Sequence, residues 1–426
     1  MEDFLNIYKP ISGIVLDYWW IILPVVLFFI LRAIWLSYIQ GEFIKSLKWI
    51  VLEVKIPREV IKTPKAMEQF FAGLHVAGKD PKFKEKYFKG EIPPWHALEI
   101  IGRGGSIHFF IRTQGKFRDL VESQLYAQYP QAEIFEIEDY VNELPIGIPN
   151  KEYDITGTEL ILEKADAYPI RTYPIFFEEK EAEERTDPIA GLFEFLNSLS
   201  PKEYVWIQVL VSPTGDEWKK EGEKLVGELI GKKVKATKGG LMIQEVSNWM
   251  EAFVNGFSEF FFGAKEEDKV EEKKSVESIM AYLSPGQKEV VSSVEKNISK
   301  LGFKTMIRYI YWAEKDVFNK DKTAAVGGFF KQFNTQNLNG FKPNKKTAPG
   351  RGRIFKKRRE KAQKKFFVQL YKRRSFPFKR ISGRGFVFNT EELATVFHIP
   401  GKLVEVEKLP KIEAKKGGPP TSLPIE

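Results

Sequence analysis

Between Phe341 and Arg384 the chain carries eighteen lysines and arginines against a single acid, Glu360. They come in clusters: Lys345-Lys346, Arg351 and Arg353, Lys356-Lys357-Arg358-Arg359, Lys364-Lys365 and Lys372-Arg373-Arg374. Phe355, Phe366, Phe367, Tyr371, Phe376 and Phe378 are interleaved with them. The whole chain has a net charge of +9, so this segment, at +17, leaves the remainder at −8. Positive charge so localised calls for an anionic partner at that place. One reading is nucleic acid, with phosphates held by the cations and unpaired bases stacked on the aromatics. A second is the headgroups of an anionic membrane. A third makes the aromatics core and the charges a solvated face. If Ile354 to Tyr371 is helical, Phe355, Phe366 and Phe367 form no continuous apolar stripe, and charge surrounds much of the helix. No base-reading motif is present, so nucleic-acid binding here would be independent of sequence.

Catalytic chemistry is harder to find. No G-x-x-x-x-G-K-[ST] phosphate loop occurs; the nearest run, Gly227 to Lys233, is too short between its glycines and lacks the hydroxyl that would bind Mg²⁺. Gly231 reads better as a helix C-cap. Gly102-Arg103-Gly104-Gly105 is not a dinucleotide fingerprint. The four histidines, His75, His96, His108 and His398, never fall at metal-ligand spacing. No metal, no cofactor and no enzymatic activity are expected. A carboxylate pair outside any motif is the one enzymatic alternative the sequence leaves open, because acids are numerous.

These residues must be positioned by the rest of the chain, and its most distinctive stretch is Tyr18 to Ile39. Tyr18 through Leu31 are fourteen residues without a charge; Arg32 interrupts and the apolar run resumes through Leu36. A helix of this length reaches ~30 Å, the thickness of a bilayer's hydrocarbon core. Trp19 and Trp20 stand at one end and Trp35 and Tyr38 at the other, as in an aromatic belt. Arg32 is near enough to the C-terminal end to snorkel outward. The only basic side chain before the helix is Lys9, whereas Lys45, Lys48, Lys55, Arg58, Lys62 and Lys65 follow it. The positive-inside rule therefore predicts a single-pass protein of the cell (inner) membrane, with residues 1–17 outside and the bulk in the cytoplasm. The absence of cysteine fits a reducing compartment.

Beyond the anchor the fold class is α+β. Residues 46–140 predict a β-α-β-β-α-β order, a ferredoxin-like unit. Its strands are Leu47–Ile56, Ala97–Ile101, Ile107–Arg112 and Ala132–Glu138, with a Gly102–Gly105 hairpin. Its helices are marked by Met67, Phe70, Phe71 and Leu74 and by Phe117, Leu120, Val121 and Leu125, at helical spacing. Thr63 reads as the N-cap of the first. Residues 154–340 repeat these elements as a second ferredoxin-like unit, with a long insertion at 231–283. The strands there are Thr158–Glu163, Val205–Val211 and Phe303–Tyr311; Asp187-Pro188 caps one helix and Ser284-Pro285 opens another. Inside the insertion, an aromatic stripe over 241–262 reads as packing against this unit or a partner, and 264–274 as disordered. The basic helical segment 341–384 follows. Residues 385–426 then supply a short strand, a short helix capped by Thr390, and a Pro/Gly-rich linker.

Several stretches together carry a family resemblance: KTPKAMEQFFAGLH (62–75), VESQLYAQYP (121–130), DPIAGLFEFLNSLSPKEYVWIQVLVSP (187–213), FNTEELATVFHIPGK (388–402) and EAKKGGPPTSLP (413–424). The set resembles the region preceding the ATPase domain in bacterial type IV secretion, or conjugation-like, DNA-translocating membrane proteins of the HerA/coupling-protein type. The resemblance implies a membrane helix, α+β domains, a ring-like homo-oligomer and a motor. The chain stops at Glu426, about where the family's motor would begin, so the motor ATPase is expected to act in trans. A charge at the bilayer centre costs ~3 kcal/mol on insertion scales. Val26→Arg should therefore impair membrane insertion and Arg32→Leu should not, as read by carbonate extraction and by protease digestion in inside-out vesicles.

Overall fold

A computed structural model of the chain describes residues 2–56, 62–178, 187–231, 283–345, 347, 356–376 and 385–400. The side chains of residues 2–19, 21, 22, 25 and 356 are outside the description, Trp19 and Lys356 among them. So are the 241–262 aromatic stripe, the 264–274 run, Lys346, Arg351, Arg353, Phe355, Phe378 and the terminal linker. The chain divides into two compact units, residues 1–48 with 80–93, and residues 49–79 with 94–426.

The first unit is built on helix α1 (Glu2–Ser46), longer than the predicted anchor at both ends. Its stretch Val26–Ser46 is long and apolar enough to cross a membrane, and its large apolar side chains from Trp20 to Tyr38 are mostly exposed. A soluble core helix would bury such side chains.

The second unit is α+β around one nine-stranded antiparallel sheet. Strands β1 (Trp49–Lys55), β2 (His96–Arg103), β3 (Ser106–Gln114) and β4 (Glu133–Ile137) alternate with helices α2 (Lys65–Leu74) and α3 (Arg118–Gln128) in the expected chain order. They stand in space as β4-β1-β3-β2. The later strands are β5 (Tyr153–Leu162), β6 (Glu203–Pro213), β7 (Gly302–Glu314) and the short β8 (Phe341–Pro343). Their spatial order, read from the far edge, is β8-β5-β7-β6, the same as in the first half. The halves share one sheet because β2 and β6, the second strand of each, pair along their length from His96↔Val211 to Arg103↔Tyr204. Strand β9 (Phe386–Asn389) lies beside the start of β7, where Gly302–Thr305 extend past β5.

Strand alternation divides the core into two layers. On one face Leu52, Ile100, Phe109, Ile207 and Tyr309 meet α2, α3, α5 (Ala190–Asn197), α8 (Thr323–Lys331) and α10 (Thr390–Val396), with α4 (Tyr173–Glu178) beside them. Helices α6 (Glu217–Leu229) and α7 (Pro285–Ile298) make a smaller cluster through Trp218, Val294 and Ile298. On the other face Val51, Ile101, Phe110, Trp206, Ile310 and Trp312 lie under residues 140–148 and helix α9 (Lys356–Arg373).

Three caps differ from expectation. Helix α2 starts without a side-chain cap, so Thr63 offers only its carbonyl. At α10 the cap is Asn389, whose side chain accepts from Glu392 N while Glu392 accepts from Asn389 N, a reciprocal capping box that leaves Thr390 inside the helix. Glu392 also accepts from the Ile170 backbone, which fastens α10 to the 164–173 segment. At α5 the N-cap position is Ile189, which makes no side-chain cap; Asp187 instead accepts from Ile189 N in the turn before the helix and is fastened to His398 at 2.8 Å.

Burial pushes the Glu392 carboxyl up to about 8, outweighing the two backbone donors that favour its ionised form. A carboxyl raised in the fold contributes stability below its ordinary pKa, and that contribution is lost as pH rises towards 8. Chemical denaturation at stepped pH should show the wild-type chain losing stability relative to Glu392→Gln between mildly acidic pH and pH about 8. A difference that stays flat with pH would contradict this.

Candidate nucleic-acid interface

Helix α9 is the described part of the basic segment. Its residues 360, 364, 367, 371 and 374 recur at helical spacing and form the inward stripe. Phe367, Val368 and Tyr371 are buried in the sheet's second layer. Phe367 reaches it because β5 has glycine at 157, where a Cβ would stand 2.8 Å from the ring and 2.4 Å from the Tyr309 carbonyl. Tyr371 packs on Trp206 and its hydroxyl lies 3.1 Å from that of Tyr140. The sequence expectation of exposed stacking aromatics is therefore corrected for Phe367 and Tyr371, which follow the alternative that places the aromatics in the core. Among the described aromatics of α9 only Phe366 is exposed, at 38%.

The C-terminal end of α9 is held by a row of buried polar residues that the strands bring into register. Glu99 of β2 faces Gln208 of β6, Gln208 faces Arg308 of β7, and Arg308 faces Glu159 of β5. All four are buried. Gln208 Nε2 donates to Glu99 at 2.9 Å and reaches the Tyr371 carbonyl at 3.4 Å. Arg308 donates through Nε to Glu159 at 2.7 Å and through Nη1 to the Leu370 carbonyl at 3.2 Å. A guanidinium on the last carbonyls of a helix satisfies its unpaired acceptors and complements its dipole.

Arg374 completes this arrangement. Its backbone is left-handed, with φ 45, so the helix ends there and the side chain turns into the protein. Its Nε donates to Glu99 at 2.7 Å and its Nη1 to Asp139 at 2.6 Å, while Trp95 Nε1 donates to its carbonyl at 2.6 Å. Burial disfavours the cation, but Glu99, Tyr140 and Asp139 outweigh it and hold the guanidinium pKa well above its ordinary value. Nearby Arg112, stacked 3.9 Å over Trp49, is pulled down to about 10, first by burial and then by Arg374. Arg374 thus leaves the set of sequence-predicted phosphate ligands, because its charge is spent inside the fold. Lys364 leaves it in part: it is ion-paired with Asp154 at 2.8 Å and with Glu360 at 3.4 Å.

The remaining described cations face outward. Lys357, Arg358, Arg359, Lys361, Lys365, Lys372 and Arg373 of α9 are exposed, as is Lys345 before it. Of the anchor residues, Trp20 and Trp35 are exposed on α1, and Arg32 is partly covered. The four histidines serve the fold: His96 contacts Thr113, His108 contacts Glu53, His75 contacts the Thr214 carbonyl and His398 contacts Asp187. Burial pulls His96 down to about 4.

These features define an α+β protein with one antiparallel sheet, a basic helix laid on one face, and a helix long enough to span a membrane. The chain belongs to the DUF8128 family, a domain of unknown function, whose match covers residues 40–409. No curated protein matches the chain.

Removing Arg374 would strand Glu99 uncompensated inside the protein, a change that typically costs ~3–5 kcal/mol. Arg374→Ala should lower the denaturant midpoint and raise hydrogen exchange in α9, whereas Arg373→Ala, at an exposed site, should stay within ~0.5 kcal/mol of wild type.

Proposed function

We propose that this protein is a single-pass membrane protein that presents α9 to the phosphate backbone of nucleic acid, as a non-catalytic subunit of a type IV secretion-like DNA-translocation apparatus whose motor ATPase acts in trans. The observation that carries the reading is the division of α9 into a buried stripe and an outward face of seven exposed cations. Lys357, Lys361 and Lys365 form one row at successive turns, spaced ~6 Å along the axis, and Lys372 continues it. A linear row of cations suits a linear polyanion.

Anionic lipid fits α9 less well. An interfacial helix keeps several apolar side chains among its cations to enter the acyl boundary, and here Phe367, Val368 and Tyr371 are used by the core, which leaves Phe366 as the one exposed ring of α9. Binding should depend on charge alone and ignore base sequence. The charge asymmetry about α1 supports the N-terminus outside and the sheet unit in the cytoplasm. The family resemblance supports the secretion context and a ring of copies. A membrane-anchored nucleic-acid-binding protein outside any secretion machine is the second reading. Co-purification of a motor ATPase from native membranes distinguishes the two.

With ~6 phosphates neutralised, log K against log salt should slope at about −4 for single strands and −5 for duplex. Replacing Lys357, Arg358, Lys361 and Lys365 together by Glu should abolish DNA retention by the detergent-solubilised full chain without changing its denaturation midpoint. Unchanged affinity in that variant, or binding to anionic vesicles but not to DNA, would defeat the nucleic-acid reading.

A further inference from the structure

The unit that contains α1 also contains residues 80–93, which return to the C-terminal part of the helix. Their order is Lys82-Phe83-Lys84-Glu85-Lys86-Tyr87-Phe88-Lys89-Gly90. The sequence alone reads this as a charged loop, but Glu85–Lys89 form a wide π turn. Glu85 Oε2 accepts from Lys82 N at 2.9 Å, which opens that turn.

Two contacts seat it on α1. Trp35 Nε1 donates to the Tyr87 carbonyl at 2.9 Å, and the Arg32 guanidinium lies 5.7 Å from the centre of the Tyr87 ring. Gly90 closes the segment with φ +69, and a Cβ there would stand 2.4 Å from the Ile39 carbonyl. Only glycine meets both demands. The segment is thereby fixed beside residues 32–40, at the end of the apolar stretch where Trp35 and Tyr38 stand.

What it presents outward is a mixture of aromatics and lysines. Phe88 is 71% exposed and Phe83 40%, with Phe83 packed 4.5 Å from Tyr87. Lys82, Lys84, Lys86 and Lys89 are exposed around them, against Glu85 and, just after the segment, Glu91, 3.9 Å from Lys89. Large apolar side chains in water are unfavourable unless something covers them. Aromatics set among lysines at the end of an apolar helix match the boundary of an anionic bilayer, where rings enter the acyl edge and ammonium groups meet headgroup phosphates.

We infer that residues 82–90 are a second membrane contact, an interfacial foot in which Phe83 and Phe88 enter the bilayer edge and Lys82, Lys84, Lys86 and Lys89 bind anionic lipid headgroups. The foot would fix the depth of α1 and brace it against sliding. This inference rests on α1 as the membrane span and is independent of what α9 binds.

The chain has no cysteine, so single labels can be placed cleanly. Full-length protein carrying a fluorophore at Phe88→Cys or at Val26→Cys is reconstituted into phosphatidylcholine vesicles and into mixed phosphatidylcholine–phosphatidylglycerol vesicles. Nitroxide lipids labelled either near the headgroup or deep in the acyl chain, the latter reporting residue 26, and aqueous iodide serve as the quenchers. The expected result is quenching of residue 88 by the shallow nitroxide, stronger in the anionic vesicles. Replacing the four lysines by Gln should remove that gain while the Val26→Cys label stays lipid-quenched. Iodide quenching alone at residue 88, with residue 26 still in lipid, would overturn the foot and leave the span intact. Loss of lipid quenching at both positions would overturn the span and the foot with it. Equal quenching in both vesicle types, unchanged by the lysine variant, would overturn the anionic-headgroup assignment.

Discussion

The ion pair between Arg374 and Glu99 is the constraint on which the surface of the sheet unit depends. Both side chains have zero exposure. A buried charge pair is a poor source of net stability, because desolvation offsets much of its attraction, but breaking it is costly. Its consequence here is register. An amphipathic helix on an apolar sheet could rotate or slide with little penalty. Arg374 fixes the end of α9 at one point on β2, and Arg308 and Gln208 take up the helix's last carbonyls from the neighbouring strands. With the end fixed, the stripe through Phe367 and Tyr371 must face inward and the other cations outward.

The polar row that holds the helix exists only because the two halves of the sheet are joined. Glu99 belongs to the first half, and Gln208, Arg308 and Glu159 belong to the second. Pairing β2 with β6 turns two edges into an interior, which removes exposed strand edges and aligns the row. The two half-sheets, each with the same strand order, thus make one platform, and α9 reads across the seam.

Much of the sheet was legible in the sequence because alternation in β1, β3, β6 and β7 is strong and local. The seam was not legible, since pairing between strands a hundred residues apart leaves no local signal. Arg374 reads as one more outward cation because it follows Lys372 and Arg373 in a basic run, and position in sequence does not separate an outward cation from one turned inward by a left-handed residue. A usable signal was nevertheless present. Glu99 sits between Leu98 and Ile100, Gln208 between Ile207 and Val209, and Arg308 between Ile307 and Tyr309. A polar side chain inside an apolar strand needs a buried partner. Glu99 and Arg308 demanded opposite charges from elsewhere in the chain, and Gln208 demanded hydrogen-bond partners. Phe367 and Tyr371 are hard to place for a related reason: Phe355, Phe366 and Phe367 make no continuous stripe, whereas the inward line runs through 360, 364, 367, 371 and 374.

The chain holds two basic aromatic segments that look alike in composition and differ in what the fold does with the rings. In α9 the rings go into the core and leave a face of charge, with Phe366 the one ring exposed among the described residues. In residues 82–90 the fold fastens the backbone to α1 and leaves Phe83 and Phe88 outward among the lysines. A charge-only face gains its affinity from counterion release, weakens steeply with salt and suits a polyanion that arrives and departs. A face with exposed rings adds apolar burial, which salt does not screen, and suits a partner that is always present. Burial of the aromatic side chains, rather than the count of lysines and arginines, is therefore what separates the proposal of a nucleic-acid face on α9 from the proposal of a bilayer contact at residues 82–90.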